Sequence, residues 1–318
     1  MTRDVLTIGE SMLRYWVPAG ERIESAPQFR VGVAGAEANV SVALARMGRS
    51  VTWVSRLPDN PLGHRTARAL LAQGVDVSHV VWSAEGRMGT YYVELSTPPR
   101  PATVVYDRAG SATSMMTVED IDWSLLAGAG VAYISGITPA LSASCRGVTF
   151  ELMSRAAAAD IPIVFDVNYR ARLWGIEEAA TVLGDLCNRA DVVIVTEEDA
   201  RDLFSVSGTP ASVLDGMSNF AGTERVILTR GAEGASWKDG QATGHVPAHA
   251  AAVLDQIGAG DAFAAGAIIG LLDGSLPDGV ALGAAMGAIE VGLYGDMFTI
   301  DPSEVANLLK GTDRDVSR

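Results

Sequence analysis

The sequence predicts an α/β protein with a mostly parallel central sheet that is covered by helices on both faces. Short apolar runs recur along the chain, at residues 5–8, 51–55, 131–135, 161–165, 192–195 and 226–228. Helical segments are expected between them, at residues 36–47, 62–73, 142–159, 178–188 and 197–204. Strands that are apolar throughout and alternate with helices are typical of a parallel sheet buried on both faces. Ligands of such a sheet bind beyond the carboxyl ends of its strands.

Local composition justifies the individual elements. In chain order, the strand runs read VLTI, VTWVS, VAYIS, IPIVF, VVIV and VIL, and Val, Ile and aromatic residues are favoured in strands. A further helix is predicted at residues 262–272, an apolar run of Ala, Gly, Ile, Leu and Phe that we expect to be buried on most sides. Residues 12–31 and 86–107 break this rhythm. They read as short alternating strands, with Pro98, Pro99 and Pro101 in the second segment, unlike a βαβ unit.

Composition and charge limit the kinds of protein this chain can be. Its 318 residues, 48% of them hydrophobic, suffice for one large α/β domain with an accessory piece. The net charge of -14 argues against a nucleic acid or an anionic membrane as partner, because no basic block is present to neutralise phosphates. Cys145 and Cys187 are too few and too far apart for a disulfide framework or a zinc site. The apolar stretches fall short of the roughly 20 residues of a membrane span, and we expect a cytoplasmic protein.

Residues 255–263, DQIGAGDAF, carry the strongest chemical signal. Gly258, Ala259 and Gly260 leave their backbone amides unshielded directly before a helix, where free N–H groups and the helix dipole favour phosphate oxygens. Asp261 follows at the rim, where a carboxylate would be repelled by phosphate unless it accepted the proton of an incoming hydroxyl. The alternative is an ordinary glycine-rich helix start. No GxxxxGK[ST] motif occurs, and the late GxGxxF lacks the third glycine of a dinucleotide fingerprint.

This string resembles the carboxy-terminal signature of the ribokinase-like (PfkB) sugar kinases, usually written DTxGAGD. Residues 32–48, GVAGAEANVSVALARMG, are similar to the amino-terminal signature of the same family. The resemblance spans almost the whole chain and implies a three-layer α/β/α fold. It implies a small β-sheet lid from residues 12–31 and 86–107, and a main nucleotide- and sugar-binding domain from residues 1–11, 32–85 and 108–318. It also implies a homo-oligomer, dimeric or larger.

Several strings are similar to those of the 2-keto-3-deoxygluconate kinases within this family: IGESMLR, GAEANV, YDRAGSA, SGITPAL and DVNYRARLW. The resemblance implies that ATP phosphorylates the terminal hydroxyl of 2-keto-3-deoxygluconate, giving the 6-phospho product, with Asp261 as the base. It places the residues that would hold the sugar at Gly35, Ala36, Asn39, Tyr91, Tyr106, Arg108 and Arg170. Another sugar kinase of this fold, such as a fructokinase or ribokinase, and a non-catalytic sugar or nucleotide sensor are the alternatives.

The arginines argue for an acidic substrate on their own chemistry. Arg108 precedes a flexible turn, and Arg170 and Arg172 follow a predicted strand end, where a guanidinium can pair with a carboxylate through two parallel hydrogen bonds. The alternative for each is a structural salt bridge, with Asp107 or Asp166 as partner. Tyr91 and Tyr106 can equally be core residues of the lid with satisfied hydroxyls.

The residues predicted to bind the nucleotide form a less distinctive motif. The string TRGAEG, with Thr229, Gly231 and Gly234, resembles the family's turn that approaches ATP, and a plain β-turn is the alternative. Thr196 and Asp199 stand where the family often has Asn and Glu near the metal. We therefore expect Mg²⁺ to be held largely by ATP oxygens and waters, with Asp199 as a candidate residue of its shell.

Overall fold

The computed structural model describes residues 3–96 and 100–311. Pro98 and Pro99 of the expected lid lie outside the described residues. The strands are β1 (Arg3–Ile8), β2 (Met12–Val17), β3 (Arg30–Ala34), β4 (Val51–Val54), β5 (Arg56–Pro58), β6 (Val81–Ser83), β7 (Thr90–Glu94), β8 (Thr103–Asp107), β9 (Ala129–Ser135), β10 (Ile163–Asp166), β11 (Val192–Thr196), β12 (Arg225–Thr229), β13 (Ala235–Asp239) and β14 (Ala242–Val246). The α-helices are α1 (Ala36–Arg46), α2 (Pro61–Leu71), α3 (Ala143–Ala158), α4 (Ile176–Cys187), α5 (Glu197–Phe204), α6 (Pro210–Ala221), α7 (Ala259–Leu272), α8 (Leu276–Glu290) and α9 (Pro302–Leu309).

The main sheet has eight strands in the order β14-β13-β12-β11-β10-β9-β1-β4. The six strands from β12 to β4 are parallel, and β13 and β14 add an antiparallel hairpin at the far edge. This confirms the mostly parallel sheet that the six apolar runs predict. The carboxyl ends of the parallel strands meet at one edge, which is where the polar residues of the candidate site are expected.

Strand residues alternate between two separate cores, which is why the fold has three layers. Leu6 and Val193 pack in the core formed by α3, α4, α5 and α6. Their neighbours Val5 and Val192 pack in the core formed by α1, α7, α8 and α9. Successive side chains of a strand point to opposite faces, and each fully buried Val or Leu contributes about 1.5–3 kcal/mol. The three-layer α/β/α class is thereby confirmed.

The helix α7 packs unusually closely on α8. A Cβ atom at Gly266 would collide with the backbone of Gly283, and one at Gly270 with the backbone of Gly279. Glycine is therefore required where the two helix backbones touch. The helix α7 also packs on α1, so the helices that carry Asp261 and Asn39 lie side by side.

A second sheet of four strands, in the order β3-β2-β7-β8, is built from the two segments that break the βαβ rhythm. Arg14 lies opposite Tyr91, and Tyr91 opposite Tyr106, so these three side chains share one face. Tyr15 and Tyr92 share the other face, where their rings stack with centroids 5.2 Å apart. The face of Arg14 also carries Met12, Val93 and Trp16, which pack with Tyr91 in a hydrophobic cluster, so Arg14 is a charged residue in apolar surroundings.

Seven of these strands and α-helices were not predicted from the sequence: the strands β5, β6, β13 and β14 and the helices α6, α8 and α9. The strand expected at 161–165 begins later, at Ile163, because Pro162 has no N–H to donate to the ladder. The helix α7 begins earlier than residue 262, at Ala259. No helix among the described residues is long and apolar enough to cross a membrane.

Candidate active site

The amino end of α7 presents open backbone amides. Gly258 caps the helix in the left-handed conformation, with φ of 96°. The helical ladder begins where Ala262 N–H donates to Gly258 O (2.9 Å), so the amides of Ala259 and Gly260 precede it. A Cβ atom at Gly260 would have nothing within 4 Å. This helix end can therefore bind an anion.

Asp261 connects the two signature segments of the chain. Its Oδ2 accepts a hydrogen bond from Asn39 Nδ2 (2.7 Å), and Asn39 Oδ1 accepts one from Gly35 N–H (3.2 Å). Gly35 is the residue before α1, and a Cβ atom there would collide with the backbone of Glu10. Ala36 is the first residue of α1 and is buried. The structure thus brings Gly35, Ala36, Asn39 and Asp261 together.

The Asp261 carboxylate is held in a state suited to proton transfer. Burial raises its pKa from 3.8 to about 6, against the lowering effects of the Asn39 hydrogen bond and the nearby Arg170 charge. A general base works best when its pKa lies near the working pH. At neutral pH this carboxylate is ionised and can still accept a proton readily.

Glu37 holds α1 against the carboxyl end of β9. Its Oε1 accepts hydrogen bonds from Ser135 N–H (3.0 Å), Ser135 Oγ (2.8 Å) and Thr138 Oγ1 (2.8 Å). Burial raises the pKa of Glu37 from 4.5 to about 7, and these hydrogen bonds lower it. Because Asn39 lies on the same helix, this anchor also fixes the residue that orients Asp261.

Arg108 is paired with Glu10. The Arg108 Nε donates to Glu10 Oε2 (2.8 Å), its Nη2 donates to the same oxygen, and Ser111 Oγ donates to Oε1. Both charged side chains are largely buried. Of the two partners considered from the sequence, Asp107 instead pairs with Arg87. The Glu10 pairing brings a residue next to β1 into contact with the end of β8.

A cavity of about 610 Å³ lies between the second sheet and the loop after β10. Tyr106, Arg108, Arg170 and Arg172 all line it. Arg172 Nη1 donates to Val104 O (2.6 Å), while Arg170 is exposed and its charge lowers the pKa of Asp261. Three of the seven proposed sugar-binding residues, Tyr106, Arg108 and Arg170, therefore share one cationic cavity.

Tyr91 lies beneath this surface and not in the cavity lining. It is 2% exposed, its hydroxyl donates to Asp296 Oδ2, and its ring stacks on Tyr106 with centroids 5.6 Å apart. This placement is that of a core residue with a satisfied hydroxyl. Any contact between Tyr91 and a substrate stays a prediction.

The proposed nucleotide residues lie farther along the same sheet edge. Thr196 and Thr229 are register partners at the ends of β11 and β12. Gly231 and Gly234 bound the short turn after β12, both with positive φ (54° and 87°). A Cβ atom at Gly234 would collide with the Val246 carbonyl. Gly234 is therefore packed against the end of β14, whereas a Cβ atom at Gly231 would have nothing within 4 Å. Contact of either residue with ATP remains a prediction.

Asp166 and Asp199 are the acidic residues that fit a cation near the phosphates. Burial, followed by the charge of Asp261, raises the pKa of Asp166 to about 8, and the charge of Asp199 also raises it. Burial raises the pKa of Asp199 as well. A cation would relieve this repulsion, and carboxylate oxygens are ligands that Mg²⁺ prefers. The described residues contain no group of three or more His, Cys, Asp or Glu side chains that could hold a metal ion.

Sequence reasoning missed several residues around the site, among them Glu10, Arg14, Asp296 and Glu290. The signal for Glu10 and Arg14 was present, because both are charged residues inside or beside apolar strand runs, where an unpaired charge is costly. Nothing in the sequence joins Asp296 or Glu290 to them. The contact between Arg14 and Asp296 arises only when the loop after α8 is folded against β2.

The fold and this arrangement define an α/β enzyme of the kinase type that acts on a small molecule. A model of the pfkB family of carbohydrate kinases matches residues 2–302. A 2-dehydro-3-deoxygalactonokinase from Haloferax volcanii is 38% identical over 100% of both chains, and a 2-dehydro-3-deoxygluconokinase from Bacillus subtilis is 34% identical over 93% of this chain and 92% of that one.

The solved structures agree with this match. The crystal structure of a 2-dehydro-3-deoxygluconokinase from Thermotoga maritima superimposes with a TM-score of 0.91, at 32% identity, over 98% of this chain and 99% of that one. The chain therefore belongs to the PfkB family and is an ATP-dependent carbohydrate kinase.

Proposed function

We propose that this kinase phosphorylates the terminal hydroxyl of 2-keto-3-deoxygluconate, giving 2-keto-3-deoxy-6-phosphogluconate. The observation that carries the proposal is the cavity in which Arg108 and Arg170 lie together, on the side of the sheet where Arg170 also influences Asp261. A sugar acid supplies a carboxylate for these cations, whereas a neutral hexose does not. Relatives named for this substrate support the choice.

The galactonate-derived epimer is the second candidate, because a relative named for it is 38% identical over the full length. The two sugar acids share the carboxylate, the keto group and the terminal hydroxyl. The arginines and Asp261 serve both equally, so selectivity depends on groups that contact the differing hydroxyl.

We propose that Asp261 is the general base of the reaction. Asn39 engages its Oδ2, which orients the carboxylate and leaves Oδ1 to take the proton of the sugar hydroxyl. As that proton leaves, the sugar oxygen bonds to the γ-phosphorus of ATP and the bond to the bridging β,γ-oxygen breaks, releasing ADP. The amides of Gly258, Ala259 and Gly260 would stabilise the charge on the transferring group.

On the nucleotide side we propose that Thr196, Thr229, Gly231 and Gly234 line the ATP site. Asp199 would belong to the shell of Mg²⁺, which neutralises phosphate charge when bound. The proposal rests on the position of these residues at the same sheet edge as α7 and on the raised pKa values of Asp166 and Asp199.

The second sheet would act as the lid of this site, with residues 12–31 and 86–107 forming it and the remainder forming the main domain. The face that carries Arg14 and Tyr91 also carries Tyr106, which lines the cavity. Closing the site would keep water from competing with the sugar hydroxyl.

Tyr15, Phe29 and Tyr92 form an aromatic cluster on the other face of the second sheet, which supports a homo-oligomer. The free, buried thiols of Cys145 and Cys187 fit a cytoplasmic protein.

The test is a sugar panel with ATP and a coupled readout of ADP. The panel contains 2-keto-3-deoxygluconate, its galactonate epimer, fructose and ribose, with an assay lacking sugar as the control for ATP hydrolysis. We expect kcat/KM for the two sugar acids to exceed that for fructose by at least about 100-fold, because a neutral sugar brings no carboxylate to the exposed Arg170 guanidinium. A preference for fructose or ribose would overturn the substrate class. Ligand-induced melting shifts without ADP formation on any sugar would indicate a sensor.

A further inference from the structure

Arg14 is a buried arginine that joins two loops beside the anion site. It lies on β2 of the second sheet, is 1% exposed, and donates through Nη1 to Asp296 Oδ1 and through Nη2 to Asp255 Oδ2. Its partners stand 41 positions apart, one before α7 and the other after α8. A single planar guanidinium thus clamps two chain segments that the sequence leaves distant.

Each of the two carboxylates holds backbone in turn. Asp255 Oδ1 accepts from Ile257 N–H (3.2 Å) and its Oδ2 accepts from Gly295 N–H (3.3 Å). The backbone of Asp296 lies directly against Gly258, where a Cβ atom would stand 2.9 Å from the Asp296 Cα. The left-handed conformation of Gly258, which begins α7, is therefore fixed from both sides by groups that Arg14 holds.

Among the described residues that face this cluster, none replaces Arg14 as the cation that neutralises Asp255 and Asp296. Glu290 is 1% exposed and both of its carboxylate oxygens lack a hydrogen-bond partner. Burial, with the nearby charges of Asp261 and Asp255, raises its pKa to about 8. Tyr91 donates a neutral hydrogen bond to the second oxygen of Asp296. Arg14 is thus the cation on which Asp255 and Asp296 both depend.

We propose that Arg14 is a positioning residue for phosphoryl transfer, acting through Asp255 and Asp296 on the loop that aims the amides of Ala259 and Gly260. This inference rests on the proposed role of that loop. The planar fork of arginine can serve two carboxylates in a fixed geometry, whereas the ammonium of lysine is a point charge without that geometry. Because Arg14 lies on β2, the position of the second sheet over the sugar also determines the conformation of the loop that aims the amides of Ala259 and Gly260.

The test compares Arg14→Lys with Leu214→Ala, a change in the buried core on the opposite face of the sheet. Both are assayed well below their own melting temperatures, with ATP and sugar varied in turn. We expect Arg14→Lys to lower kcat by about 10- to 100-fold, the loss typical of small misplacements of a catalytic group. The KM for the sugar should stay within about threefold of wild type. Leu214→Ala should lower Tm and keep kcat.

A second variant keeps the proposal testable if Arg14→Lys does not fold. Asp255→Asn preserves volume and removes one arm of the clamp, so the same fall in kcat is expected. Since the two residues act as one unit, the double variant should be no more than about threefold slower than the slower single variant. Wild-type kcat in both single variants, or losses that multiply in the double variant, would overturn the proposal. Asp261→Asn in the same assay tests the proposed general base alone. If Asp261 is not the base, this variant keeps its kcat, whatever the Arg14 and Asp255 variants show.

Discussion

Replacing Asp261 with Asn should slow the enzyme and at the same time make it more stable. Asparagine keeps the shape of the side chain, and its carbonyl oxygen can still accept the hydrogen bond from Asn39. It cannot take the proton of the sugar hydroxyl. Positioned general bases contribute about 10²- to 10⁴-fold to rate, so kcat should fall by that factor with a smaller change in KM.

The gain in stability follows from the raised pKa. Asp261 has a pKa of about 6 in the folded protein against 3.8 for the ordinary side chain. Each unit corresponds to about 1.4 kcal/mol, so the ionised carboxylate costs the folded state up to about 3 kcal/mol. For an acid whose pKa is higher in the folded than in the unfolded protein, this cost is absent below pH 3.8. It grows as the pH rises toward the pKa of the folded state. The variant should therefore be more stable than wild type at pH 7.5 and no more stable near pH 4.

The assay combines steady-state kinetics with thermal unfolding at both pH values. For wild type, kcat/KM should fall as pH drops through about 6, because the protonated carboxyl cannot act as a base. Unchanged turnover in the variant would remove Asp261 from the chemistry. A lower Tm than wild type at pH 7.5 would show that burial does not penalise the carboxylate as the structure indicates.

Three further predictions concern the sugar and phosphate ends of the site. Arg170→Ala and Arg108→Ala should each raise KM for the sugar acid while leaving ATP affinity, measured by calorimetry, near wild type; wild-type KM in both would refute the carboxylate argument. Glu10→Gln should raise KM for the sugar about tenfold at saturating ATP, since Arg108 loses a charged hydrogen-bond partner, and a KM equal to wild type would show that Glu10 does not orient Arg108. Gly258→Ala should lower the free energy of unfolding, measured by chemical denaturation, by about 1–3 kcal/mol, because alanine at φ 96° is strained. The same variant should have a lower kcat. Wild-type stability and turnover would show that the loop tolerates another conformation.

Much of the fold was predictable because its signal is local. The six parallel strands are short runs of Val, Ile and other apolar residues, and such runs read as buried strands wherever they occur. The edge hairpin β13–β14 and the helix α8 escaped prediction for the opposite reason. The hairpin reads ASWKD and ATGHV, with little apolar alternation. The helix α8 carries Gly279 and Gly283 in its interior, residues that disfavour an isolated helix and are required only by contact with α7.

The site divides in the same way. The pattern typical of an anion-binding helix start consists of consecutive residues, so it could be recognised in the sequence. These residues are Gly258, Ala259, Gly260 and Asp261. The Glu10–Arg108 pair could not, since its members lie 98 positions apart and Asp107 was an equally good partner by sequence.

The sequence by itself determined the class of fold, the glycine-rich start of α7 and its neighbouring carboxylate, because each depends on residues that are adjacent in the chain. Tertiary structure alone decided which carboxylate each arginine faces, that Tyr91 donates its hydroxyl to Asp296, and that Arg14 clamps the loop before α7. Such pairings depend on which segments the packed helices bring together. Only burial, which no short segment can produce, raises the pKa of Asp261 toward neutrality.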